Sequence, residues 1–159
     1  KLICPAIVID VRKKVKLNSD YHLCVDDIIS WEKRYKKIQA GSVVLMQTGW
    51  EKFWGNKKRY LNQDKKGTMH FPGFSQEAVK YFVEKRTING IGIDTLSIDS
   101  GNSKEFSGHQ VLFKHNKFAL ENLANIEELP PIGSTIIIAP MKIKGGSGSP
   151  VRVFASINK

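Results

Sequence analysis

Five short runs of β-branched and apolar residues limit the fold more than any other feature. They are 4–11 (CPAIVIDV), 42–48 (SVVLMQT), 91–98 (IGIDTLSI), Ser134–Pro140 (STIIIAP) and Val151–Ile157 (VRVFASI). Several are β-branched and unbroken, which suits a sheet covered on both faces. Between them lie two helical patterns. In 25–38, Ile28, Trp31, Tyr35 and Ile38 fall near one face, Asp26 stands as N-cap, and lysines and Arg34 crowd the C-terminal end, as the helix dipole favours. In 75–86, Ser75 caps a stripe of Ala78, Val79, Phe82 and Val83. The expected fold class is therefore α/β, a mixed sheet of about five strands with flanking helices.

The connecting segments carry the chemistry. Thr48-Gly49-Trp50 follows the second strand directly, where a parallel-type sheet opens onto a ligand crevice. Trp50 there either caps the core or stacks on a flat substrate. The segment 51–68 is polar and lysine-rich, an excursion over the surface or a lid. His70, before a Pro-Gly turn, reads as structural. The third strand is expected to run to Ile98 and end in Asp99. Asp94, Ser97 and Asp99 then cluster at its far half and suit the support of a metal site more than direct ligation. The loop 144–150, KGGSGSP, lacks the Gly-Lys-Ser/Thr ending of a phosphate-binding loop and opens no helix, which excludes that nucleotide site.

His109 and Glu121 are two metal-capable side chains twelve residues apart. On one continuous helix they would be ~18 Å apart and about a third of a turn out of phase. Asn116 and Lys117 offer a break between them. A short helix from His109 that stopped there, with 118–120 running back extended, would let the pair converge. Apolar residues in 120–123 and 126–129 surround Glu121, so its charge calls for a cation or hydrogen bonds.

Composition bounds the remaining classes. A chain of 159 residues is long enough for one domain, 1–159, with a real core. No apolar run approaches the ~20 residues of a membrane span. The net charge is +10, but the lysines are scattered and not interleaved with stacking aromatics, which argues against a nucleic-acid partner. Cys4 and Cys24 do not form a disulfide framework, and with no signal-peptide pattern a cytoplasmic location is expected. The first residue is Lys1 rather than methionine, as in a fragment or a trimmed chain.

Several blocks, in order, carry a resemblance. TGW, PGFS, GIDTLSID, SGH with Glu121 twelve residues after the His, ENL, and GGSGSP followed by VRVFA resemble the metal-dependent cyclase family, which includes kynurenine formamidases and isatin hydrolases. The resemblance implies a swivelling β/α-type domain, here N-terminally incomplete, with His109 and Glu121 as ligands of Zn or Mn. It implies Trp50, Gly146 and Gly148 as substrate lining, Asp94, Ser97 and Asp99 as support, and hydrolysis of a small-molecule amide or cyclic amide. It also implies a homo-oligomer. One departure is large: the family's early motif, H-x-G-T-H-x-D-x-P-x-H, is absent from the sequence. The early catalytic His is absent with it, so no catalytic residue is assigned. The rival expectation is a catalytically incomplete domain that binds a ligand or a protein.

Overall fold

The computed structural model describes residues 1–157. In chain order the elements are β1 (Ile3–Asp10), α1 (Arg12–Leu17), β2 (His22–Leu23), α2 (Val25–Arg34), β3 (Val43–Gln47), α3 (Lys57–Leu61), β4 (Gly73–Phe74), α4 (Gln76–Tyr81), β5 (Gly90–Ile93), α5 (Ser107–Lys114), β6 (Phe118–Leu120), β7 (Ser134–Pro140) and β8 (Val151–Ile157). Six strands form one mixed sheet in the order β6-β5-β3-β1-β7-β8. The first four are parallel to one another, β7 runs antiparallel to β1, and β8 runs antiparallel to β7. The expected mixed α/β architecture is present, with more and shorter strands than five.

Period-two alternation explains the core. Ile7, Ile9, Val44, Met46, Ile91 and Ile93 face a layer containing Ile28 and Trp31 of α2, Val79 of α4 and Leu112 of α5. Ala6, Val8, Val43 and Leu45 face Ile126, Ile136 and Ile138. The helices thus cover one face, while the other is closed by the 126–128 turn and the curl of the sheet. Trp31 fixes α2 against β1 by donating its indole N–H to the Val8 carbonyl at 2.8 Å. Pro5 lies within β1, but pairing with β3 begins only at Ala6, so its missing N–H costs no ladder bond on that side.

Three boundaries differ from expectation. The first helix starts at Val25, and its N-cap is Cys24, not Asp26. Asp27 reaches back to the Cys24 N–H at 2.9 Å, the acidic half of a capping box. It also ends at Arg34 rather than Ile38. The second helix is capped by Ser75 and reaches Arg86 as expected, its last turn, Phe82–Arg86, being π-helical and closing at Thr87 in the left-handed region. The third strand stops at Ile93, because Asp94 turns to bond the end of β3, and 94–99 is a loop rather than strand.

Asp27 gives a pH prediction. Burial alone would raise its pKa, but Lys14, the Tyr21 hydroxyl and the Cys24 N–H outweigh burial and hold it below the usual carboxylate range. A depressed folded pKa means that the stabilisation is complete above about pH 5 and is lost as pH falls through the folded value. Urea midpoints measured from pH 6 down to pH 3 should fall, and Asp27→Asn should flatten that slope while costing about 1–2 kcal/mol at neutral pH. An unchanged slope in the variant would remove Asp27 from the account. No helix among the described residues is long and apolar enough to cross a membrane.

Candidate functional site

The break after α5 is where the sequence suggested it. The helix ends at Lys114, Asn116 adopts φ 53°, and β6 runs back beside β5. Glu121 therefore emerges at the C-terminal end of a parallel strand, level with the first turn of α5. His109 Nε2 and Glu121 Oε1 are 3.3 Å apart. Glu121 is only partly buried, contrary to the apolar enclosure expected from its neighbours, and its Oε1 accepts the Ile98 N–H at 3.0 Å. Asn122, in the left-handed region at φ 55°, turns the chain away. Its Oδ1 accepts the Tyr60 hydroxyl at 2.8 Å, so the surface excursion braces the residue next to Glu121.

Asp99 orients the imidazole. It is 2% exposed and accepts from Gly108 N at 2.8 Å, His109 N at 3.2 Å and His109 Nδ1 at 2.6 Å. With Nδ1 engaged, Nε2 is the nitrogen left to face Glu121. Burial by itself would raise the Asp99 pKa, but His109 and the two backbone N–H groups hold it below the usual range. The bond to Asp99, and then that to Glu121, pushes His109 up to about 9.

Gly108 makes this approach fit. A Cβ on Gly108 would stand 2.8 Å from Asp99 Oδ1. Gly108→Ala should therefore displace Asp99, and the His109 ring signals should lose the signature of an Nδ1–H bonded to a carboxylate while the fold persists. Unchanged shifts would mean that the carboxylate is not held by this packing.

The donor chemistry fits a divalent cation in part. An imidazole nitrogen with its partner nitrogen bonded to a carboxylate, facing a second carboxylate, is a familiar pair of ligands. Closed zinc sites use four protein ligands and open ones three, and no group of three or more His, Cys, Asp or Glu among the described residues is arranged to hold a metal. His109 and Glu121 together offer two donors, fewer than either kind of site uses.

The other residues singled out in the sequence divide among separate neighbourhoods. Asp94 is 1% exposed and accepts from Thr48 N at 3.0 Å, Thr48 Oγ1 at 2.7 Å and Trp50 N at 2.7 Å. It braces the Thr48–Trp50 turn rather than His109. Ser97 Oγ accepts the Asp99 N–H at 3.3 Å. Trp50 is 5% exposed, donates to the Tyr60 carbonyl at 2.8 Å and packs edge-on against Phe53. It is core and also wall, for it lines a cavity of about 1210 Å³ with Phe53, Trp54, Tyr60 and Asn122. That cavity reaches Asn122 but neither His109 nor Glu121 lines it.

Gly146 and Gly148 line a different cavity, of about 560 Å³, with Leu2, Phe118 and Met141. It lies by the N-terminal ends of β1 and β6, away from the end that carries Glu121. Arg152 lines the larger cavity and forms no ion pair among the described residues. His70 has the structural role expected, with Nδ1 bonded to Asp20 at 2.7 Å, and His115 is exposed.

Sequence reading missed Phe106, Phe113, Tyr60 and Gly108. The rings of Phe106 and Phe113 meet His109 nearly perpendicular, with centroids 6.2 and 5.3 Å away. The i, i+4 spacing of His109 and Phe113 was a usable signal; the contact of Phe106 was not, because it precedes the helix.

The chain is similar to several known proteins. The Cyclase family model matches residues 1–100. The isatin hydrolase of Roseibium aggregatum is 37% identical over an alignment that covers 100% of this chain and 61% of that protein. The kynurenine formamidase of Paracidovorax citrulli is 40% identical over 62 residues, 39% of this chain and 28% of that protein. The crystal structure of an isatin hydrolase bound to the product analogue thioisatinate superposes with a TM-score of 0.95 at 37% identity, covering 99% of this chain and 61% of that one. The chain thus spans about 61% of the length of the isatin hydrolases it matches.

Proposed function

The chain belongs to the cyclase family, and from that membership we propose that it is the portion of a metal-dependent hydrolase that supplies two late ligands for opening the C–N bond of an aryl formamide or cyclic amide. The observation that carries this reading is the convergence of His109 Nε2 and Glu121 Oε1, with Asp99 fixing the ring. The names of the relatives, isatin hydrolase and kynurenine formamidase, support an amide adjoining an aromatic ring as the bond attacked.

His109 and Glu121 are the residues that would hold the cation, Zn or Mn. When bound, such an ion lowers the pKa of water and polarises a carbonyl oxygen. Asp99 holds the Nδ1–H, so the proton that a cation would displace is the one on Nε2, which faces Glu121. The Ile98 N–H steadies Glu121 Oε1, and Tyr60, through Asn122, fixes the backbone that carries Glu121. None of these groups is free to act as the general base, and that role falls outside the set found.

The donor set of two favours a second reading, a ligand- or protein-binding domain without catalysis. Elemental analysis of the purified chain, with absorbance assays on isatin and N-formylkynurenine at saturating Zn or Mn, separates the two. Metal uptake that His109→Ala abolishes, with or without turnover, supports the hydrolase portion; no uptake at saturating Zn or Mn favours the binding domain. Self-association belongs to the same proposal. Ile3, Ile137 and Phe154 stand opposite one another across β1, β7 and β8 and are exposed. Sedimentation of the chain should give a mass above that of one copy, and Phe154→Lys should reduce it; a single-copy mass in the parent chain would end this part of the proposal.

A further inference from the structure

Phe106 and Phe113 stand on either side of His109, and each is unusual for its position. Both are more than half exposed, at 53% and 54%, although most of the chain's other phenylalanines are at least partly buried. Phe106 also holds a left-handed backbone, φ 49°, immediately before the first residue of α5. A bulky side chain seldom adopts that conformation, which favours glycine or asparagine. Here it is held from both sides. The Phe106 N–H donates to Ser103 Oγ at 3.2 Å, and its carbonyl accepts from Gln110 N at 3.0 Å. Backbone strain of this kind gathers at functional sites, where it aims a side chain. The result is that the imidazole facing Glu121 is met edge-on by two exposed aromatic rings, neither of which is needed to fill the core.

We infer that Phe106 and Phe113 are specificity-determining residues that receive the aromatic ring of the substrate, so that the scissile amide is presented to the His109–Glu121 pair edge-on between them. The inference rests on the hydrolase reading and extends it, because it assigns aryl recognition to this chain's α5 rather than to Trp50. Trp50 is buried and faces a cavity that neither His109 nor Glu121 lines, whereas the two phenylalanines touch the imidazole itself. Aromatic rings prefer offset or edge-to-face partners, so two rings set nearly perpendicular to His109 leave edges and faces for a third planar ring. An aliphatic ring of equal size gains the burial but not the quadrupole contact. The expected selectivity is thus for planar over saturated rings, not for size.

The test compares formanilide with N-cyclohexylformamide, which carry the same formamide on a planar and a saturated ring. Binding is read by NMR titration of the full chain, following the His109 ring ¹⁵N and the phenylalanine ring signals. Formanilide should bind about fivefold tighter or more, as two added aromatic contacts would give. Phe106→Leu and Phe113→Leu should each bring the ratio towards one, with the protonation pattern that the His109 ring ¹⁵N shifts report unchanged in the free variants beyond the loss of a ring current. A change in that pattern would convert the effect into a structural one and overturn the assignment, as would a parent ratio near one or variants that keep the ratio.

Titration of the same chain and of His109→Ala with Zn or Mn keeps the two readings apart. A retained binding ratio with no His109-dependent metal uptake sinks the hydrolase reading and leaves the aromatic assignment standing. His109-dependent uptake without any ratio does the reverse.

Discussion

Replacing His109 by alanine should lower the affinity of the chain for Zn or Mn by about a hundredfold or more, to beyond what competition with a chromophoric chelator can read. A two-donor pair has no redundancy: with Nε2 gone, a lone carboxylate remains, and one carboxylate holds such ions poorly in water. The fold should survive, because Asp99 keeps the Gly108 and residue-109 backbone N–H groups that satisfy it. Asp99→Asn should be milder, about ten- to a hundredfold, the range found when a group that orients a ligand is removed. The order of the two variants matters. If Asp99→Asn weakened binding as much as His109→Ala, the carboxylate itself would be a ligand, and the division of roles drawn from the 2.6 Å bond to Nδ1 would be wrong. If neither changed binding, the cation would have to be held elsewhere.

Asp94→Asn should produce the largest loss of stability, about 3 kcal/mol, seen as a lower urea midpoint with little change in slope. The carboxylate is buried, and its two oxygens accept the Thr48 N–H and hydroxyl and the Trp50 N–H. An amide offers one acceptor oxygen and turns its NH₂ towards donors, so at least one buried N–H loses its partner. Thr48, Gly49 and Trp50 then lose the anchor that holds the turn after β3, and with it the wall of the larger cavity. For a chain of this length the expected fall in melting temperature is about 6–12 °C. A change below about 1 kcal/mol would show that water replaces the lost acceptor, and Asp94 would no longer count as the brace of this turn. Metal affinity should be nearly unaffected, since Asp94 does not touch His109.

The two aspartates illustrate how much of the site was legible. From the sequence, Asp94, Ser97 and Asp99 formed one cluster on a single strand. In the structure the strand ends at Ile93, and the loop sends the two carboxylates in different directions. Local spacing could not separate them, because their directions depend on where β3 and α5 end in space. The glycine-rich loop had the same difficulty. Its composition marked a turn, but only the register of β7 on β1 puts Gly146 and Gly148 by the N-terminal ends of the parallel strands. Gly108 was visible as a letter beside His109, yet its necessity depends on Asp99 lying where a Cβ would be.

The sequence made legible the mixed sheet, most of its buried strands and the break after α5, while the order of the strands came from the structure. Those legible features depend on local chemistry: unbroken β-branched runs, amphipathic periodicity, and an asparagine able to take positive φ. It also determined that His109 and Glu121 were chemically suited to one another. Tertiary structure alone decided that they meet at 3.3 Å, that Asp99 and not Asp94 orients the imidazole, and that two exposed phenylalanines flank it. The physical reason is that a hydrogen bond or ring contact between residues far apart in the chain requires both backbones to be positioned to within fractions of an ångström. That positioning comes from the packing of the whole sheet and its helices, which no local window of sequence contains.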